Sequence, residues 1–309
     1  MRYGNIKGIE KPVAKLVLGT ICCNEDDMEN SGTILNNYLA AGGNCFDTAR
    51  IYNEGKAEKA LGKWFTESGK RDEIVLLGKG GHPDHNGDRI SPEKINEDIA
   101  NSLRALQTDH FDIFLLHRDN RSVSVQVLVD LLNEHKDAGR MKAFGGSNWT
   151  TARLQEANDY AEANGLQGFS ASSEHLSLAV WNEPIWGGCL RVDENAEKWH
   201  REHQFPLFPW SAQARGFFTG RYSPEDLSNE EVVRSYYNKD NWEKYRRATE
   251  IGEKRGATAN QIALAFVIGQ EYPVFAVAGP MTPAELATTL PAADIVLTQG
   301  EKDYLTLKS

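Results

Sequence analysis

The sequence predicts the α/β class: a single (β/α)8 barrel with an N-terminal hairpin cap and long loops after strands 6 and 7, spanning 1–309 as one domain. Two observations predict it. Short runs rich in Val, Ile, Leu or Phe alternate with longer amphipathic stretches, and no low-complexity linker or shift of composition divides the chain. A length of 309 residues could hold two domains, but α/β barrels often run this long as one.

Taken in order, residues 3–14 are expected to form a small hairpin capping one end of the barrel. The strand candidates are Lys15–Leu18, Asn44–Asp47, Ile74–Leu77, Asp112–His117, Lys142–Gly145, Phe169–Ser173, Pro206–Trp210 and Val274–Ala278. Each is short and nearly all apolar, as a parallel strand buried on both faces should be. Ser91, Pro92 and Glu93 read as a cap, a first helical proline and an acidic first turn. Ile95, Ile99, Leu103 and Leu106 then recur at spacings of three and four, making one apolar stripe. Val125–Ala138, Ala152–Ala163, Ala259–Ile268 and Pro283–Leu290 read the same way. Eight strand–helix units with right-handed crossovers close a barrel. Ser177–Leu190 and Arg215–Asp240 break the repeat and are expected as long loops at the strand C-termini, where a barrel builds its active site.

Composition narrows the function classes. The chain is 40% apolar and 25% charged, ordinary for a globular protein, with a net charge of −10. That balance argues against nucleic acid or an anionic membrane as partner, both of which demand clustered Lys and Arg. The start has no apolar run of signal-peptide length, and no stretch is long enough to span a bilayer. Cys22, Cys23, Cys45 and Cys189 show no zinc spacing, so no metal is expected and the thiols read as buried or lining groups in a reducing cytoplasm.

Four chemically complementary residues fall at successive strand ends. Asp47 ends the second strand and Tyr52 follows in the turn. Lys79 ends the third strand and His117 the fourth. Such a set suits carbonyl reduction, which needs a proton donor beside a hydride donor. A tyrosine near pKa ~10 donates or ionises poorly alone. An ammonium ~4 Å away, at an effective dielectric of ~20, favours the phenolate by roughly 4 kcal/mol before desolvation is subtracted. Asp47 would hold Lys79 charged, and His117 would orient the substrate oxygen. Singly, Asp47 reads as a helix cap, Lys79 as a loop charge and His117 as a core histidine; together at successive strand ends they read as one site.

The stretches Gly43–Tyr52 with Gly55 and Glu58, Leu103–Asp112, Leu115–His117 and Gly145–Asn148 resemble the aldo-keto reductases in order and spacing. The resemblance extends to about Gly220, with a weaker match in Lys254–Leu290. It implies a TIM barrel that binds NAD(P)H in the cytoplasm and reduces an aldehyde, ketone or sugar to the alcohol. It makes Tyr52 the general acid/base tuned by Lys79 and Asp47, with His117 positioning substrate. It places Gly19, Thr20, Ser147, Asn148, Ser173, Trp210, Ser211, Gln213, Gly216, Gly220, Gly279, Met281, Thr282 and Glu285 on the cofactor. Ser173 stands where the family usually has Gln, and Trp210 where it has a ring-stacking Tyr. Gly216–Gly220 would lie along the pyrophosphate, where small residues permit close approach. NADPH is the family's usual donor. Members that prefer it carry Arg or Lys two residues after the glycine, whereas here Gly279 is followed by Pro280 and Met281. Glu285 would repel a 2′-phosphate or accept from a free ribose hydroxyl, which makes NADH a candidate donor.

The substrate wall is expected from Ile21, Cys22, Cys23, Tyr52, Arg118, Trp149 and Trp181 or Trp186. Those aromatic faces suit a sugar or an aromatic aldehyde. Arg118 could pair with a carboxylate or phosphate, or be neutralised by Asp119. Two other readings stay open: a nicotinamide-binding regulatory or redox-sensing subunit with little turnover, and a lyase with Lys79 as Schiff-base nucleophile.

Overall fold

A computed structural model describes residues 1–308. Strands β1 (Tyr3–Gly4) and β2 (Val13–Ala14) pair antiparallel and form the expected hairpin. The main sheet is all parallel: β3 (Leu16–Gly19), β4 (Cys45–Asp47), β5 (Val75–Gly80), β6 (Phe111–Leu116), β7 (Met141–Ser147), β8 (Ala171–Ser173) and β9 (Ala276–Ala278). Neighbours in the sheet run β8-β7-β6-β5-β4-β3-β9, so seven of the eight expected strands are regular.

The remaining one, expected at Pro206–Trp210, survives as isolated bridges. Leu207 bridges Ser172 on one side and Val274 on the other. Phe208 N–H donates to the Ser172 carbonyl at 2.8 Å, and Phe275 N–H to the Leu207 carbonyl at 2.8 Å. Val277 N–H donates to the Pro209 carbonyl at 3.0 Å. This segment therefore joins the two ends of the sheet. Pro206 and Pro209 have no N–H to give, which thins the ladder below that of a full strand.

The period of two along each strand divides its side chains between two packings. Phe46, Leu76, Phe114, Leu116 and Phe144 pack outward with Ile95, Ile99, Leu128 and Leu132 of the surrounding helices. Val17, Cys45, Val75, Leu77, Ile113, Leu115, Ala143, Ala171, Phe208, Phe275 and Val277 fill the barrel interior. Continuing that inner stripe by two residues toward the strand C-termini reaches Asp47, Lys79, His117, Ser173 and Trp210, and on β7 it passes through Gly145 to Ser147. The alternation that fills the core thus also aims the polar residues inward at one mouth.

The expected helices stand within a residue or so of their predicted bounds: Pro92–Ala105, Val125–Asp137, Thr151–Ala163, Ala259–Ile268 and Pro283–Thr289. Ser91 caps the first by accepting from Lys94 N–H at 3.4 Å. Ser177–Leu190 is irregular, as expected. Arg215–Asp240 is not wholly so, because Glu230–Tyr236 is a helix capped by Asn229. Helices Lys239–Arg255 and Gln299–Leu305 are also present. No helix among the described residues is long and apolar enough to cross a membrane.

The inner layer tolerates no added bulk at Gly145. A Cβ there would lie 1.8 Å from the Ala171 carbonyl oxygen and 3.0 Å from Leu115 Cδ2. Backbone cannot step aside as a side chain can. Gly145→Ala is expected to lower unfolding free energy by about 3 kcal/mol, the upper end for overpacking, measured by urea denaturation. An unchanged midpoint would refute this packing.

Candidate active site

The β4–β5–β6 register assembles the four polar residues. Asp47 sits opposite Leu77, and Lys79 opposite Leu115. Beyond the strand ends the hydrogen bonds continue: Thr48 N–H donates to the Leu77 carbonyl at 2.9 Å, Arg50 N–H to the Lys79 carbonyl at 3.2 Å, and His117 N–H to the Gly80 carbonyl at 2.7 Å. Thr20 Oγ1 donates to the Asp47 carbonyl at 3.0 Å and fixes the end of β4 from the other side. The loop after Lys79 is pinned as well. Asp98 accepts Gly81 N–H at 2.9 Å and pairs with Arg89 at 2.7 Å and Arg50 at 3.1 Å. Tyr52 enters on a tight turn in which Asn53 and Glu54 take positive φ of 49° and 56°.

The side chains converge. Lys79 Nζ donates to Asp47 Oδ1 and, at 3.0 Å, to the Tyr52 hydroxyl. The Tyr52 hydroxyl lies 3.5 Å from Asp47 Oδ2, to which it donates. The His117 ring stands edge-on to Tyr52 with centroids 6.0 Å apart, and its Nδ1 is buried without a partner among the described residues.

The electrostatics follow from burial. It works against the Lys79 ammonium, yet Asp47 and Tyr52 outweigh it and hold the lysine above its ordinary value. Burial and then the Asp47 carboxylate lift the Tyr52 phenol above its ordinary value, more than Lys79 pulls it down. The sequence expectation weighed Lys79 alone and pointed toward phenolate. Desolvation and the second charge reverse that direction, so the resting residue is a phenol. Burial drives His117 well below its ordinary value, with Lys79, His82 and Arg118 adding to the effect. Its ring is neutral.

A cleft of about 1110 Å³ opens from this cluster. Of the residues expected on the cofactor, Gly19, Ser147, Asn148, Trp210, Ser211, Gln213 and Gly216 line it, and so do Gly279, Met281 and Glu285 toward its far end. Thr20, Ser173, Gly220 and Thr282 do not. Thr20 is committed to Asp47, and Gly220 ends the 214–219 turn with φ 83°. Thr282 caps the Pro283–Thr289 helix by accepting Glu285 N–H at 3.2 Å. Ser173 sits just below the floor, where its carbonyl accepts from Ser147 Oγ at 2.8 Å and Asn148 N–H at 3.0 Å.

The lining suits an elongated dinucleotide. Trp210 presents an aromatic face, and its buried Nε1 has no partner among the described residues. Ala214, Arg215 and Gly216 take successive positive φ of 47°, 56° and 82°, curling the backbone into a turn of the kind that receives phosphate oxygens. Asn148 is held at φ 59°, its Oδ1 accepting Leu190 N–H at 3.1 Å and its Nδ2 donating to Ser147 Oγ at 3.1 Å. At the far end Glu285 Oε2 accepts Met281 N–H at 2.8 Å, and Oε1 lies 3.4 Å from Arg221 Nη2.

Around the substrate end, Ile21, Tyr52, Arg118 and Trp186 line the cleft, and Cys22, Trp149 and Trp181 do not. Cys22 and Cys23 are buried, with Cys22 Sγ 3.8 Å from the Gly19 carbonyl. Trp149 is buried under Gly146 against Phe169, and its Nε1 donates to the Arg118 carbonyl at 3.1 Å. Trp181 stacks on His175 at 4.3 Å and anchors the loop. Both indoles find partners inside, so they pack the rim; Trp186, 44% exposed, faces the cleft instead. Cys189, read from sequence as a buried or lining thiol, lines the wall, and among the wall residues that sequence reasoning missed are His82, whose ring lies 4.8 Å from His117, and Arg221. His82 lies three residues past Lys79, and that spacing was the one available hint.

Comparison with known proteins bears on the family and the fold. The model of the aldo/keto reductase family matches residues 15–308. The chain is 27% identical over 291 residues to norsolorinic acid reductase stcV of Emericella nidulans, covering 88% of this chain and 70% of that protein. It is 24% identical over 310 residues to a probable voltage-gated potassium channel subunit beta of Arabidopsis thaliana, covering 96% and 92%. Among solved structures, an aldo/keto reductase from Klebsiella pneumoniae in complex with NADP and acetate superposes with a TM-score of 0.73 at 22% identity, covering 97% of this chain and 93% of that one.

The cluster's stability rests on the ion pair. Lys79→Met leaves Asp47 buried without its counter-charge and is expected to cost about 3–5 kcal/mol in urea denaturation. The double variant Asp47→Leu/Lys79→Met should recover most of that loss. Equal stability of the two variants would show that the charges are not coupled.

Proposed function

The chain belongs to the aldo/keto reductase family, and from that premise we propose that it is a working nicotinamide-dependent carbonyl reductase with Tyr52 as proton donor. One observation carries this reading: a half-buried tyrosine hydroxyl 3.0 Å from a lysine amine that is itself paired with a buried aspartate.

The bound nicotinamide supplies the hydride; the chain's own residues manage the oxygen. His117, neutral, donates a hydrogen bond to the carbonyl and fixes its direction. Tyr52 donates a second and passes its proton to the oxygen as charge develops there. The phenolate left behind faces Lys79, whose attraction at this range is roughly 5 kcal/mol at an effective dielectric of about 20. Asp47 keeps the lysine charged and in line. Ser147 and Asn148 would hold the carboxamide, Trp210 the ring face, and the 214–216 turn the pyrophosphate.

The second reading, a nicotinamide-binding sensor with little turnover, has the similarity to a channel subunit in its favour. The complete Tyr52–Lys79–Asp47–His117 set favours turnover, because a sensor needs no proton donor. A lyase using Lys79 is disfavoured, since a lysine held above its ordinary value is a poor nucleophile.

At the adenosine end, Met281 brings no charge and Glu285 brings a negative one, which favours NADH relative to a donor carrying a 2′-phosphate. Arg221 beside Glu285 moderates the effect rather than cancelling it, because the pair is exposed and 3.4 Å apart.

Tyr52→Phe is expected to lower turnover of an aldehyde panel by about 10²–10⁴-fold, while quenching of protein fluorescence by NAD(P)H persists. Full activity in that variant would refute the mechanism. Because the Tyr52 pKa is raised, the phenol persists across neutral pH. Carbonyl reduction should stay flat from about pH 7 and fall only above the ordinary tyrosine value of ~10, whereas alcohol oxidation, which needs phenolate, should rise over that range. Coincident profiles in the two directions would exclude Tyr52. Glu285→Gln removes one charge and keeps an acceptor for Met281 N–H. It should raise the NADPH-to-NADH ratio of kcat/KM by about fivefold, as expected for ~1 kcal/mol between exposed charges; no change would clear Glu285 of a role in cofactor choice.

A further inference from the structure

The cations that line the cleft are four, and three of them face carboxylates: Lys79 pairs with Asp47, Arg215 with Glu231, and Arg221 with Glu285. Arg118 is the fourth, and among the described residues it has no acidic partner. Its sequence neighbour Asp119 is turned away and held by Arg153, whose Nε lies 3.4 Å from Asp119 Oδ1. Arg153 is fixed in turn by Glu156 and by the Val123 carbonyl. The Arg118 backbone is anchored by Trp149 Nε1 on its carbonyl, and its Nη1 donates to the His117 carbonyl at 2.9 Å. That leaves Nε and Nη2, the two parallel donors along one edge of the guanidinium, without a protein acceptor among the described residues.

The charge is directed at the mouth rather than at bulk solvent. Arg118 is half-buried, and its field reaches Tyr52, His117, His82 and Cys189, four groups from separate segments around the cleft. A half-desolvated guanidinium whose free edge offers two parallel N–H groups matches a carboxylate, whose two oxygens accept both bonds in one plane. Arg118 lines the same cleft as Tyr52 and His117 and its charge acts on both, so an anion held there belongs to the molecule whose carbonyl faces those two residues.

We infer that this enzyme selects carbonyl substrates bearing a carboxylate a short chain away from the aldehyde or keto group, with Arg118 as the carboxylate-binding residue. This rests on the reductase reading and narrows its substrate class. It also displaces the sugar expectation, because two of the tryptophans that suggested stacking pack into the rim instead.

The test compares 4-oxobutanoate with its methyl ester, using the full chain with NADPH and with NADH. The free acid should exceed the ester in kcat/KM by at least tenfold. In Arg118→Leu that ratio should collapse toward one, mainly through KM for the acid, and Arg118→Lys should restore part of it, since charge returns without the fork. Binding gives a readout that needs no turnover. Succinate, an unreactive dicarboxylate, should shift the tryptophan fluorescence of the protein–NADP complex, and Arg118→Leu should weaken that binding at least tenfold. Reduction of both compounds with no preference for the acid overturns the carboxylate assignment and leaves the reductase reading standing. Reduction of neither, with succinate still bound through Arg118, overturns the reductase reading and keeps the anion site. Succinate binding unaffected by Arg118→Leu overturns the assignment of Arg118.

Discussion

A lysine cannot remain charged inside a barrel without a counter-charge at hand. Lys79 occupies the inward position of β5 two residues beyond Leu77, in the stripe that below it is wholly apolar. Removing its ammonium from water costs several kcal/mol even after relaxation. Asp47, on the neighbouring strand opposite Leu77, lies within reach of the ammonium and offsets that cost, and each charge makes the other tolerable. The pair then does two things to Tyr52 that oppose each other. Asp47 keeps the phenol protonated at rest, while Lys79 waits to stabilise the phenolate once the proton has left. A donor needs both, because a tyrosine already ionised has no proton to give and one that cannot ionise will not release it.

The rest of the barrel mouth reads as support for that geometry. Thr20 holds the end of β4, Asp98 holds the loop after β5, and the amide of His117 continues the ladder beyond β6. None of these touches the reacting atoms. They set the level at which three neighbouring strands stop, and an error of one residue in register would turn Asp47 or Lys79 outward into the helix layer.

This explains why the catalytic end was legible in the sequence and the cleft walls were not. Asp47, Lys79 and His117 follow apolar runs whose period fixes which way the next side chain points. Trp149 and Trp181 lie past the strand ends, where no period applies, and their direction is decided by where an indole finds contacts: the Arg118 carbonyl for one, His175 for the other. The reduced seventh strand had a visible cause in Pro206 and Pro209. Helix Glu230–Tyr236 also had a local signature, Asn229 followed by two glutamates, although it lay inside a segment expected to be irregular. The ionisation of Tyr52 was out of reach for a different reason. Spacing identifies its charged neighbours but not how deeply the three are buried, and burial supplies the largest effect.

Charge adjacency in sequence proved a poor guide to charge pairing. Arg118 and Asp119 are consecutive, yet at the exit of β6 they diverge: Arg118 faces the cleft, and Asp119 faces Arg153 at the start of the Thr151–Ala163 helix. Glu285 shows the reverse case. It meets Arg221 from a loop 64 residues away, so a glutamate expected to act alone at the adenosine end carries a partner. At both ends of the cleft the fold redistributes the charges that the sequence lists side by side. At the substrate end the outcome is a cation with its bidentate edge open, and at the cofactor end an anion only partly compensated. The first favours a ligand that brings negative charge and the second disfavours one. On the proposed reading, a carboxylate on the substrate and a ribose without a 2′-phosphate on the cofactor would satisfy both ends together.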